Sequence, residues 1–123
     1  MNIGFIGLGH MGLPMAKHVA EGGHDLAVFD LRPEAIAELT SLPNVSAAAS
    51  IAEAAREKDI VFTSLPGPAE VEAIVLDEGG LLGTMREGAV YIDLTTNSPT
   101  LVRRLAARLS EKGITMLDAP VSG

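Results

Sequence analysis

The chain is predicted to fold as an α/β protein built on a doubly wound parallel sheet with strand order 3-2-1-4-5-6, and three observations lead there. Short apolar runs of strand length alternate with amphipathic helical stretches from end to end. Each connection between successive strands is long enough for the crossover that parallel pairing requires. The first apolar run passes directly into Gly7-Leu8-Gly9-His10-Met11-Gly12 and then a helical stretch, the order found at the first turn of such sheets.

The apolar run before Gly7 reads as the first strand. The helix after it covers residues 11–22, with Met11, Met15, Val19 and Gly22 on one face, flanked by Ala16 and Ala20. Pro14 falls in its first turn, where amides have no helical partner and a proline is tolerated. Gly22-Gly23 ends it. Asp25 to Asp30 is the second strand, and Pro33 opens a helix to Thr40 with Ala35, Ile36 and Leu39 inward. Asn44-Val45-Ser46 is a short third strand; Ser50, three residues before Glu53, has the spacing of a capping box.

Asp59 to Leu65 is a continuous apolar run, the pattern of a parallel strand buried on both faces. Pro66-Gly67-Pro68 breaks it, and a helix from Pro68 to Leu76 follows with Val71, Ile74 and Val75 on one side. Leu81 to Arg86 is a short helical or irregular piece. Ala89 to Leu94 is the fifth strand, and Ser98-Pro99 caps and starts a helix to Lys112 with Val102, Leu105, Ala106 and Leu109 inward. Its Arg103, Arg104, Arg108 and Lys112 read as a solvated cationic face. Gly113 ends that helix, and Ile114 to Asp118 is the sixth strand, leading into Ala119-Pro120-Val121-Ser122-Gly123.

At 123 residues, the chain has the length of one domain with a sizeable core. A hydrophobic fraction of 47% and a charged fraction of 20% are those of a soluble globular protein. The net charge of −7 argues against nucleic acid or an anionic membrane as the partner. No run reaches the roughly 18 apolar residues of a spanning helix, and no targeting segment is recognised. Absence of cysteine excludes disulfides and thiolate chemistry and suits a reducing cytoplasm.

Gly7, Gly9 and Gly12 form a G-x-G-x-x-G pattern, and Asp30 lies about 20 residues further on, which completes the dinucleotide-binding (Rossmann) fingerprint. Gly7 allows the tight turn, Gly9 the approach of a pyrophosphate, and Gly12 the close seating of the helix. Helix amides and the dipole then make an anion site without a basic side chain. His10 sits inside that loop, in reach of a cofactor. Asp30 would accept the adenosine ribose hydroxyls and repel a 2′-phosphate, which selects NAD over NADP. Arg32 could swing toward a phosphate or remain a solvated turn residue.

In an open sheet the ligand lies beyond the carboxyl ends of the strands, so Leu65-Pro66 and Thr95-Thr96-Asn97 also face the cleft. Leu65-Pro66 would form an apolar wall. Thr95, Thr96 and Asn97 could meet a nicotinamide ribose or merely satisfy loop amides, and the residues alone leave both readings open. His10, His18 and His24 have no carboxylate at metal-ligand spacing, so no metal is expected.

Gly4 to Ala16 resembles the N-terminal signature of the 3-hydroxyacid (β-hydroxyacid) dehydrogenases, a family that includes 3-hydroxyisobutyrate dehydrogenase, tartronate semialdehyde (2-hydroxy-3-oxopropionate) reductase and, more distantly, phosphogluconate dehydrogenase. Leu65-Pro66, Ile92-Asp93-Leu94-Thr95-Thr96 with Pro99, and Asp118 to Gly123 agree with it. The resemblance implies that Thr96 meets the cofactor on the nicotinamide side and that Ser122 and Gly123 belong to the loop holding the substrate carboxylate. Family members that use NADP commonly carry Asn-Arg where this chain has Asp30-Leu31, which supports NAD. The cofactor set expected is therefore Gly7, Leu8, Gly9, His10, Met11, Gly12, Asp30, Leu31, Arg32, Leu65, Pro66 and Thr96.

By the same resemblance, family members continue into an all-α domain that bears the catalytic lysine, and no catalytic residue is expected within 1–123. The parent enzyme would move a hydride between the nicotinamide and a small 3-hydroxy acid or its semialdehyde, and any homo-oligomer would form through that further domain. Two alternatives stand beside this reading: an imine reductase built on the same N-terminal domain, and a non-catalytic NAD-binding module.

Overall fold

Six strands form one sheet in the computed structural model, which describes residues 1–9 and 11–120. They are β1 (Asn2–Ile6), β2 (Asp25–Phe29), β3 (Val45–Ala47), β4 (Ile60–Thr63), β5 (Val90–Asp93) and β6 (Thr115–Asp118). All pairs are parallel, in the expected order β3-β2-β1-β4-β5-β6. The helices are α1 (Gly12–Glu21), α2 (Pro33–Thr40), α3 (Ile51–Ala55), α4 (Pro68–Leu76), α5 (Leu81–Thr84) and α6 (Pro99–Ser110). Sequence neighbours β1 and β2 go one way, while β4 pairs on the other side of β1. The strand order therefore reverses beside β1, and the cleft expected of such sheets lies there.

Local chemistry starts the helices where the chain must turn. Proline stands in the first turn of α2, α4 and α6, and its fixed φ suits a position whose amide has no helical acceptor. Ser98 Oγ accepts from the amide of Leu101 at the start of α6. Ser50 Oγ accepts from the Glu53 amide at 3.1 Å, and the Glu53 carboxylate accepts from the amide of Ala49 at 2.9 Å, a reciprocal closure that holds the five-residue α3.

The pleat divides the core in two. Ile6, Val61 and Tyr91 point to one face, against Ala54 and Ala55 of α3, Val71 and Val75 of α4 and Leu105 and Leu109 of α6. Ile3, Phe5, Leu26 and Val28 point to the other, against Ala16 and Ala20 of α1 and Leu39 of α2. Phe5 and Phe62 stack across β1 and β4 with ring centroids 5.4 Å apart.

Several expectations are corrected. On α1, Gly12, Ala16 and Ala20 are the buried residues; Met15 and Val19 are half-buried and Met11 is 41% exposed. Small side chains at the contact line let the helix lie close to the sheet, so the long ones flank that line instead of occupying it. β4 is buried on one face only: Val61 and Thr63 are inside, whereas Ile60 and Phe62 are half-buried. The second face carries α1 and α2 over β1, β2 and β3, and among the described residues no helix covers its β4 to β6 half. Leu117 of β6 is accordingly 50% exposed there. Strands β4, β5 and β6 are also shorter than the apolar runs: each begins one residue later, and β4 and β5 also end earlier, where the loops toward α4 and α6 leave the sheet. The cationic side of α6 is not wholly free, since Arg104 pairs with Glu72 of α4. Among the described residues no helix is long and apolar enough to cross a membrane.

Replacing Ser50 with Ala removes one half of the α3 closure. Stability should fall by about 1 kcal/mol, read as a lower midpoint in urea with an unchanged slope.

Candidate dinucleotide-binding site

The loop from β1 to α1 is seated on β4 with no space to spare. Gly7 adopts φ +87°, and a Cβ on it would lie 2.2 Å from the Ser64 carbonyl oxygen. Any L side chain there meets both backbone strain and a clash. The Gly7 amide donates to Phe29 O at 2.9 Å, which ties the loop to the end of β2. A Cβ on Gly12 would sit 2.6 Å from Gly7 O, so α1 starts in van der Waals contact with the loop that precedes it. Gly9 is different: among the described residues a Cβ there would meet nothing within 4 Å, and its φ is not positive. Neither backbone strain nor packing against the described residues accounts for a glycine at that position. The open space in front of it adjoins the amino end of α1, where the amides that precede the first helical bond have no helical acceptor. The first backbone bond of that turn is Leu13 N to Gly9 O, at 3.1 Å.

Asp30 closes the flank. Its Oδ2 accepts from the Leu8 amide at 2.6 Å, and its Oδ1 accepts from the Arg32 amide at 2.8 Å and from Arg32 Nε at 3.2 Å. Arg32 Nη2 in turn donates to Leu8 O at 3.1 Å. Arg32 thus neither hangs free in solvent nor reaches away for a phosphate; it bridges Asp30 to the glycine loop. Burial pushes the Asp30 carboxyl up, but the bonds from the Leu8 and Arg32 amides and the Arg32 guanidinium outweigh it and hold the group below its ordinary value. Leu31, between the two, is 88% exposed.

On the other side of the reversal, the ends of β4 and β5 carry a buried polar chain. Thr63, Tyr91 and Asp93 are all 0% exposed. Tyr91 OH lies 2.7 Å from Thr63 Oγ1, which donates to Asp93 Oδ1 at 2.9 Å. Asp93 Oδ1 also accepts from the Thr95 amide at 3.1 Å, and Oδ2 accepts from Asn97 Nδ2 at 2.8 Å. Thr95 Oγ1 accepts from the Leu65 amide at 2.9 Å, which fastens the loop after β4 to the loop after β5. Burial and then the Asp93 carboxylate push the Tyr91 phenol far up, so it keeps its proton and acts as a donor. Asp118, paired in register with Asp93, is raised by burial and by the same carboxylate.

The two open readings of the β5 loop divide by residue. Thr95 is buried and Asn97 is committed to Asp93 and to the Ser98 amide, so both satisfy the loop. Thr96 is exposed between them at the carboxyl end of the sheet. Gly7, Leu8, Gly9, Met11, Gly12, Asp30, Leu31, Arg32, Leu65, Pro66 and Thr96 all lie along that end. His10, Ser122 and Gly123 fall outside the described residues. Sequence reading passed over Thr63, Tyr91 and Asp93 as functional positions; the available signal was the strand alternation, which turns Tyr91 and Asp93 to the same buried face. No group of three or more metal-binding side chains occurs among the described residues. A hollow of about 380 Å3 at the opposite, amino-terminal end of the sheet is lined by Asn2, Asp25, Asn44 and Lys58 among others. Asn44 there already donates to the Ala20 and His24 carbonyls.

A glycine turn under a helix start, flanked by a carboxylate at the end of the second strand, defines a dinucleotide-binding α/β domain. Residues 2–123 match the family described as the NAD binding domain of 6-phosphogluconate dehydrogenase, and the chain belongs to that family. It is 43% identical to an NAD-dependent L-serine dehydrogenase of Pseudomonas aeruginosa, over 98% of this chain and 40% of that protein. It is 38% identical to 3-hydroxyisobutyrate dehydrogenase of the same organism, over 99% of this chain and 41% of the relative. The solved structure of a Mycobacterium tuberculosis 3-hydroxyisobutyrate dehydrogenase with L-serine is similar at a TM-score of 0.89 and 36% identity, covering 99% of this chain and 40% of that one. The chain therefore spans about two fifths of the length of these relatives.

The depressed Asp30 carboxyl makes a pH prediction. A group whose folded value lies below its unfolded one, about 3.9, adds stability that is complete above the unfolded value and is lost as pH falls through the folded value. Asp30→Asn should therefore be less stable than wild type at pH 7, and the gap should close in thermal melts as pH falls below the ordinary carboxylate value of about 3.9 and on through the lower folded value.

Proposed function

We propose that this chain is the cofactor-holding part of an NAD-dependent oxidoreductase acting on a small 3-hydroxy acid or its semialdehyde. The observation that carries the NAD reading is the open space before Gly9, bounded by the first turn of α1 and by Asp30. A pyrophosphate fits the donor chemistry there: backbone amides and a helix dipole, with no Cβ in its way. Loop residues Gly7, Leu8, Gly9, His10, Met11 and Gly12 hold the phosphates in this reading. Asp30 has lone pairs left after its protein bonds and accepts from the adenosine ribose, with Leu31 and Arg32 alongside. Leu65 and Pro66 wall the nicotinamide half, and Thr96 meets the nicotinamide ribose.

The nicotinamide supplies hydride chemistry when bound. Ser122 and Gly123 hold the substrate carboxylate, and proton transfer belongs to a lysine of the all-α domain that completes the family fold, not to a side chain of 1–123. The substrate class is supported by the relatives: L-serine and 3-hydroxyisobutyrate, named for them, share a carboxylate and a hydroxyl on the third carbon and differ in the substituent between. In this reading the protein works in the cytoplasm without a nucleic-acid partner, as its net charge of −7 and lack of cysteine suggest, and any homo-oligomer forms through the further domain.

Fluorescence titration tests the cofactor assignment. NADH should bind at least about tenfold more tightly than NADPH, a difference of about 1.4 kcal/mol, and Asp30→Asn should narrow that ratio. Tighter binding of NADPH by the wild type overturns the assignment. Pure 1–123 mixed with NADH and a semialdehyde should show no turnover by absorbance of the reduced nicotinamide; measurable reduction would remove the need for a lysine outside these residues.

A further inference from the structure

We propose that Asp93 is a positioning residue for the nicotinamide end of the cleft, acting through Thr95 and Asn97 to present Thr96; the inference rests on the NAD-site reading above. A carboxylate with 0% exposure carries a large desolvation penalty unless donors saturate it. Asp93 has three: the Thr63 hydroxyl at 2.9 Å, the Thr95 amide at 3.1 Å and Asn97 Nδ2 at 2.8 Å. Because the single Thr63 hydroxyl proton goes to Asp93, Tyr91 must donate to Thr63, and every proton in the chain points toward the carboxylate. The order Tyr91, Thr63, Asp93 is satisfied only by an acceptor at its end.

What the chain fixes is the shape of the β5 loop. Thr95 is drawn inward by its amide and then accepts from the Leu65 amide, which joins the two cleft loops. Asn97 is drawn back by its amide group, and its Oδ1 accepts from the Ser98 amide where α6 begins. With both neighbours pinned, Thr96 is the threonine left facing outward. A structural role alone has less need of a buried charge, because Ser98 already caps α6 through Leu101. The charged hub instead fixes three consecutive residues and the Leu65 turn together, which is the accuracy a ribose contact needs.

The test compares two ligands on the 1–123 chain by calorimetry: NADH, which spans the whole cleft, and ADP, which reaches only the glycine loop and Asp30. Asp93→Asn and Asn97→Ala should weaken NADH by about tenfold and leave ADP within about twofold. Thr95→Val should do the same, and Thr95→Ser should restore NADH binding, because the hydroxyl is the part in use. Asn97 is only half-buried, so its variant reports even if Asp93→Asn fails to fold. Equal weakening of NADH and ADP across the variants, or no change in either, overturns the proposal. Wild-type chain that binds neither ligand overturns the NAD-site reading itself, a result distinct from intact wild-type binding with unaltered variants.

Discussion

The amide of Leu8 donates to Asp30 Oδ2 across 2.6 Å, and the glycine-loop side of the cleft is built on that bond. A glycine-rich loop has few side chains with which to fix itself, and its backbone freedom would otherwise blur the position of the helix start behind it. Here the loop is held from outside on three sides. Phe29 takes the Gly7 amide, Asp30 takes the Leu8 amide, and the Ser64 backbone leaves no room above Gly7. Arg32 adds a fourth tie by donating to Leu8 O.

This arrangement gives Asp30 two roles that draw on the same atoms. Its carboxylate anchors the loop and, in the proposed function, accepts from the ribose, so its charge is stabilised before any ligand arrives. The Arg32 guanidinium is neutralised by the same group and held close to the loop. In the proposed function, cofactor choice at this edge then depends on whether Asp30 keeps Arg32 in place, which couples loop geometry to recognition.

Beyond the reversal of strand order, the molecule solves the same problem differently. The β4 and β5 loops carry side chains that can bond, and they are ordered by a buried carboxylate and not by glycine packing. Parallel register sets Thr63 beside Asp93, and both point to the face covered by α3, α4 and α6. Among the described residues the opposite face over β4 to β6 stays half-covered, with Ile60, Phe62 and Ile92 only half-buried.

The sequence by itself determined the strand order, the helix starts and the glycine turn, because each follows from periodicity, proline and serine placement, or a spacing between neighbours in the chain. It also marked Asp30 and Thr96 as cleft positions. Tertiary structure alone decided that Gly12, Ala16 and Ala20, not Met11, line the seam of α1, that Ile60 and Phe62 are only half-buried, and that Arg32 bridges Asp30 to Leu8. It alone buried Thr95 beside an exposed Thr96 and revealed Asp93 as the hub of that loop. The Leu8–Asp30, Thr63–Asp93 and Leu65–Thr95 bonds join residues 22 to 30 positions apart, and a one-dimensional pattern records which face a residue takes but not what waits there.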